Sequence, residues 1–172
     1  MNEPDLHPKQ MSFRDAVRAI AQSPFRLSVA ASLCALVGLL LPFIGTRIDF
    51  GIAQSRLSLN GFDAAGWVAV LALVLFVTAS AAHKVVALAP YRSLIELAAV
   101  AGTGVTILDA WFYNPAATMI DPAFQLQRQF APGGTGVNEM IRQYPHIGML
   151  VVVAAAMLVM LARRRDRLTP GT

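Results

Sequence analysis

Charge is what this sequence has least of. Only 14% of its 172 residues are charged, against roughly 25% in a soluble domain. That deficit excludes an ordinary water-exposed surface, and the mean hydropathy of +0.56 points to lipid as the solvent. Cysteine is nearly absent too. Cys34 stands alone, so no intramolecular disulfide and no Cys/His zinc spacing can form. The three histidines, His7, His83 and His146, do not place two imidazoles at one depth of a helical bundle, as a haem within one protomer requires. Gly133-Gly134-Thr135-Gly136 lacks the Lys-Ser/Thr that completes a phosphate loop. There is no Ser-His-Asp set, no metal-spaced pair of carboxylates and no glycine-rich βαβ fingerprint. We therefore expect no catalytic residue, no cofactor and no metal site.

What is present is long apolar runs. Trp67 to Ala82 carries no charge, and Leu94 to Tyr113 carries only Glu96 and Asp109. About 20 residues at 1.5 Å per residue match a hydrocarbon core of roughly 30 Å. The pattern predicts an all-α integral membrane protein with four spans, at about 27–44, 66–87, 94–113 and 145–161. Residues 1–25 are expected to form a polar tail and an amphipathic interfacial helix. Residues 163–172 form a basic tail, which leaves 26–162 as the membrane domain. No small-x-small cleavage pattern follows Pro42, so the first run is expected to remain as a helix.

Orientation follows from the basic residues. With both termini cytoplasmic, ten of the fourteen lie inside, against Arg47, Arg56, Arg128 and Arg142 outside. That excess follows the positive-inside rule and predicts a bacterial inner-membrane setting. The net charge of +4 then reads as topology: Arg14, Arg18, Arg163, Arg164, Arg165 and Arg167 anchor the chain on anionic headgroups rather than on nucleic acid.

The connections carry weaker signals. Ile48, Phe50 and Ile52, then Leu57 and Leu59, alternate with polar residues and suggest an outer β-hairpin. Such a ribbon is marginal alone and is expected to rest on the membrane or on the other outer loop. Asn60-Gly61 reads as a turn and Asp63 as the cap of the second span. Asp121-Pro122 starts a short outer helix, and Val137, Met140, Ile141 and Tyr144 fit i, i+3, i+4, i+7 as a second amphipathic one.

Few residues invite chemistry. Asp109 lies one turn below the Trp111-Phe112-Tyr113 belt, with Thr106 on its own helix and Arg142, His146 or Arg47 as candidate partners. An ion or proton site is one reading; an interhelical bond locking the bundle is the other, and the shallow position favours it. Glu96 has capping-box spacing from Ser93 and reads as an interfacial cap; His83 reads as a polar turn residue beside Lys84. Ala30, Cys34 and Gly38, with Gly102 on the third span, offer small faces to neighbouring helices. The expected function is a non-enzymatic membrane subunit that packs on partner subunits or on itself. A small oligomeric transporter or channel using Asp109 is the alternative, and a membrane enzyme acting on lipid or quinone is the weakest.

Overall fold

A computed structural model describes residues 23–49, 54–112 and 141–168. The N-terminal amphipathic helix with Arg14 and Arg18, and the helix expected from Asp121, lie outside the described residues. Four α-helices and a three-stranded sheet follow in the order α1 (Pro24–Leu40), β1 (Pro42–Asp49), β2 (Gln54–Asn60), α2 (Gly61–Ala81), α3 (Arg92–Phe112), β3 (Ile141–Pro145) and α4 (Ile147–Leu168), with a 3-10 segment, Val86–Tyr91, between α2 and α3. Three helical stretches, Gly61–Ala81, Val86–Phe112 and Ile147–Leu168, are long and apolar enough to cross a membrane.

The helices form a ring. α1 packs against α4 and α2, and α3 against α2 and, least extensively, α4. The interior is small: Ala31, Ala35, Ala69, Ala72, Ala99 and Ala155 are at most 3% exposed. The large side chains face outward instead, as with Leu33, Val70, Val74, Leu108, Leu150 and Met157. In lipid such packing is favoured, because small residues let backbones approach while tails solvate leucine as well as protein does.

The closest approach joins α1 to α4. A Cβ on Gly38 would lie 2.6 Å from Val152 Cγ2 and 2.9 Å from the Gly148 carbonyl oxygen. A Cβ on Gly148 would meet the carbonyl oxygens of Gly38, Leu41 and Pro42. Of the small residues expected at helix contacts, Gly38 sits at this crossing and Gly102 lies against Ala72 and Leu75 of α2. Ala30 and Cys34 are half-buried, one residue off the fully buried line of Ala31 and Ala35.

Several boundaries differ from expectation, each for a local reason. α1 ends at Leu40, not near Ile44, because Pro42 cannot continue the ladder and Leu41 is already extended at ψ 161°. Asn60, not Asp63, caps α2: its side-chain oxygen accepts from the Asp63 amide at 2.9 Å, and its Nδ2 donates to Asp63 Oδ2 at 2.7 Å. α2 stops at Ala81, and the residues expected to extend it become a turn and the 3-10 segment around Pro90. α4 runs on past the apolar stretch to Leu168, so the basic run is helical.

The sheet closes the end opposite the basic run. β1 is central, in the order β2-β1-β3, with both pairings antiparallel. The hairpin thus gains its support from the segment just before α4. Residues 141–144, expected on an amphipathic helix, are in β3 instead. Pairing there satisfies the second edge of β1, which would otherwise expose unpaired backbone groups. Phe43, Ile44 and Thr46 are at most 1% exposed, and Phe43 and Ile44 pack with Leu39, Val68, Ala110 and Met149. On the outer side Tyr144 lies across Gly45, its register partner.

Gly66 is the one described residue with positive φ, at 52°, and it kinks α2 near its start. Alanine there meets no neighbour but is forced into a region that non-glycine residues avoid. Gly66→Ala is expected to cost about 1–3 kcal/mol. Gly104→Ala, at another open position but in ordinary helix, should be neutral or slightly stabilising. Thermal unfolding in detergent compares the two; equal midpoints would contradict the kink.

Candidate functional site

Four helix ends meet at the basic end of the bundle. Ser28 lies in the second turn of α1, His83 two residues past α2, Arg92 and Glu96 one turn apart on α3, and Asp166 near the end of α4. The i, i+4 spacing puts Arg92 and Glu96 on one face. The helical continuation of α4 through the arginines carries Asp166 inward.

His83 is the hub. Its Nε2 lies 3.0 Å from Ser28 Oγ and 3.5 Å from Glu96 Oε1. Its Nδ1 lies 3.4 Å from Arg92 Nη1 and 3.8 Å from Asp166 Oδ2. Arg92 Nε is 3.3 Å from the same Asp166 oxygen. The side chains of His83 and Glu96 are only 4% and 2% exposed. The Phe25 ring stands edge-on to the imidazole at 6.5 Å, with Lys84 Nζ 4.8 Å above that ring. Neither Glu96 Oε1 nor Asp166 Oδ2 accepts a hydrogen bond from a described residue.

A hydroxyl ladder leads inward between α1 and α2. Ser80 Oγ donates to the Ser28 carbonyl at 2.8 Å and lies 2.7 Å from Ser32 Oγ. Ser32 Oγ in turn lies 2.9 Å from the Phe76 carbonyl. Beyond Phe76, 1% exposed, α1 and α2 bury Ala35, Leu39, Ala72, Ala69 and Val68, which carry no polar side chain. The ladder ends there.

The arrangement supports two proton distributions. A neutral imidazole accepting from Arg92 at Nδ1 donates from Nε2 to Ser28 and toward Glu96. An imidazolium donates toward both carboxylates, and the four groups then sum to zero charge. A cation site is the other chemistry these residues offer, since one ligand atom each from His83, Glu96 and Asp166 lie within 4.8 Å of one another. Metal–ligand bonds of roughly 2.0–2.2 Å require that set to contract. Arg92 also already stands against both Asp166 and His83 Nδ1. The set fits a proton better than a metal ion.

The residues singled out from sequence lie at the other end. Asp109 is half-buried on α3. Thr106 is fully buried, its hydroxyl donating to the Gly102 carbonyl at 2.8 Å. Arg142 is exposed on β3 opposite Arg47, which is itself opposite Arg56. His146 precedes α4, its amide bonded to the Phe43 carbonyl at 3.0 Å and its Nδ1 accepting from the Ile147 amide at 3.0 Å. Among the described residues, no hydrogen bond or ion pair joins any two of Asp109, Thr106, Arg142 and His146. The reading of Ser93 and Glu96 as a capping box also gives way. α3 begins at Arg92, so Ser93 is already inside it, and its hydroxyl accepts from Arg163 Nη2 at 2.8 Å. Glu96 is turned into the cluster instead. The signal that finds this site is depth: an imidazole, a carboxylate and an acid within a basic run all fall at one membrane face.

Fold and site together define a small helical bundle of membrane-spanning dimensions, closed by a β-sheet at one end and by an ionic cluster at the other. Comparison with protein-family models, with curated proteins and with solved structures finds no match for the chain.

Proposed function

We propose that the protein is a non-enzymatic subunit of a larger membrane complex, an accessory, assembly or scaffold component. In this reading all four helices cross a bacterial inner membrane with both termini cytoplasmic. One observation carries it: the bundle interior is closed by packed side chains, alanines together with Leu39, Phe43, Phe76, Val152 and Val159, while His83, Glu96, Arg92 and Asp166 at its basic end are spent on one another. Such a bundle offers packing surfaces and no passage of its own. At 17 residues, α1 spans about 26 Å, and its side-by-side packing on α4 favours its crossing with the others. Trp67 and Phe112, 75% and 74% exposed near the sheet end, suit an outer aromatic belt.

Purification from native membranes in mild detergent, with crosslinking and mass spectrometry of what co-elutes, tests the proposal. A stoichiometric partner or a defined homo-oligomer is expected. A crosslink-free monomer contradicts it.

A second reading, a proton-coupled transporter, gains from Glu96 rather than from Asp109. A carboxylate oxygen buried without a hydrogen bond, beside an imidazole that can exchange its proton, suits proton handling. It predicts that Glu96→Gln shifts the pH dependence of flux in liposomes. Flux identical to that of the native chain at every pH removes Glu96 from any such role.

A further inference from the structure

The seam between α3 and α4 is the open one in the ring. It leaves a groove of about 540 Å³ lined by Val100, Val153, Ala156, Met157, Met160, Leu161 and Arg164. The groove faces outward, with Met157 63% and Met160 47% exposed. At its basic end it shares Met160 and Arg164 with a smaller pocket of about 140 Å³, completed by Arg163 and Arg167. Val153, Met157, Met160, Arg164 and Arg167 recur every three or four residues, so apolar groove and arginines occupy one face of α4.

We propose that this face binds an anionic glycerophospholipid from the leaflet at the basic end, with one acyl chain in the groove and its phosphate on Arg164, Arg167 and Arg163. Two features select a lipid over a partner helix. From Val153 to Arg164 the groove runs about 17 Å, close to half of a roughly 30 Å hydrocarbon core. That is the depth of one leaflet, whereas a transmembrane helix would need the full length. The charge is also uncompensated on this face. Asp166, the one acid within the arginine run, is turned inward onto Arg92 at 3.3 Å. Arg163 is held in place by Ser93 at 2.8 Å, and its Nε donates to no described residue. Methionines suit the wall, since their unbranched thioethers adapt to a mobile chain.

Native mass spectrometry of the full chain in mild detergent tests this, with phosphatidylglycerol and phosphatidylcholine of identical acyl chains as competing probes. Phosphatidylglycerol should be retained preferentially. The double variant Arg164→Gln/Arg167→Gln should reduce that preference by roughly 30-fold, the attraction expected for two arginines at an anionic surface. Met157→Trp, which fills the groove from an exposed position, should weaken retention of both lipids without changing the preference. Both variants alter exposed side chains, and a native circular dichroism spectrum confirms that each is folded. Equal retention of the two lipids, or a preference untouched by the arginine variant, overturns the proposal. So does displacement of phosphatidylglycerol by millimolar inorganic phosphate, which would mark a site for a free anion. Photocrosslinking from position 157 in native membranes to a polypeptide instead of lipid would place a partner helix in the groove and overturn it as well.

Discussion

Gly148→Leu is expected to abolish the native bundle, whereas Gly104→Leu leaves it intact. Both positions are helical glycines, so the loss of backbone freedom is the same and the difference isolates packing. At Gly148 the first added atom meets three carbonyl oxygens, those of Gly38, Leu41 and Pro42. Backbone atoms cannot step aside as a flexible side chain can. The collision also falls where α1 hands over to β1, whose Phe43 carbonyl accepts the His146 amide at 3.0 Å. Separating α1 from α4 would therefore break the sheet's seat as well. Overpacking in a tight interior costs about 1–3 kcal/mol and sometimes more; a leucine driven into immobile backbone belongs at or beyond the top of that range. At Gly104 nothing lies within 4 Å. Detergent-resistant folded fraction and thermal midpoint measure both variants, and a native midpoint for Gly148→Leu would contradict the α1–α4 contact.

The second large effect lies at the ionic cluster. His83→Leu is expected to destabilise the bundle by about 1–3 kcal/mol, the cost of leaving a buried polar group without its partner. The loss strands Glu96, whose side chain is 2% exposed. His83→Leu/Glu96→Leu should recover most of the loss, because removing both partners leaves no charge unbalanced. A double-mutant cycle by thermal or denaturant unfolding reads the coupling. Additive effects would show that the 3.5 Å contact between the two side chains carries no energy. Arg92→Met provides a milder comparison, since Asp166 is 17% exposed and water partly replaces the lost guanidinium.

The apolar runs of the second, third and fourth spans made the helical architecture legible, since a length near 20 residues with almost no charge has few other physical meanings. The alternation around Ile48 and Leu59 pointed to the hairpin, although β1 starts earlier than it suggested, straight from Pro42. The third strand was not legible. Ile141 and Tyr144 fit a helical period, and only the vacant edge of β1, a tertiary fact, decides for β3. The ionic cluster at the basic end was missed for a related reason. Asp109 stands out in sequence because it interrupts an apolar run, and in the structure it is half-buried on α3, away from the cluster around His83. Glu96 and His83 each had a bland local explanation, as cap and turn. The third member, Asp166, reaches them only because α4 stays helical through Arg163, Arg164 and Arg165. Helix continuation past a charge run leaves no mark in hydrophobic periodicity. Arg14 and Arg18 lie outside the described residues, so their place as surface anchors rests on the sequence.

That the outward-facing large residues meet lipid is the claim on which the rest depends. Single cysteines placed at Val74, Met157, Lys84 and Arg56 in a Cys34→Ala background, probed with a membrane-impermeant maleimide in intact and in opened vesicles, test it most directly. The account predicts no labelling at Val74 or Met157 in either preparation, and labelling of Lys84 and Arg56 from opposite sides. Rapid labelling at Val74 and Met157 from water, or labelling of Lys84 and Arg56 from the same side, would contradict it.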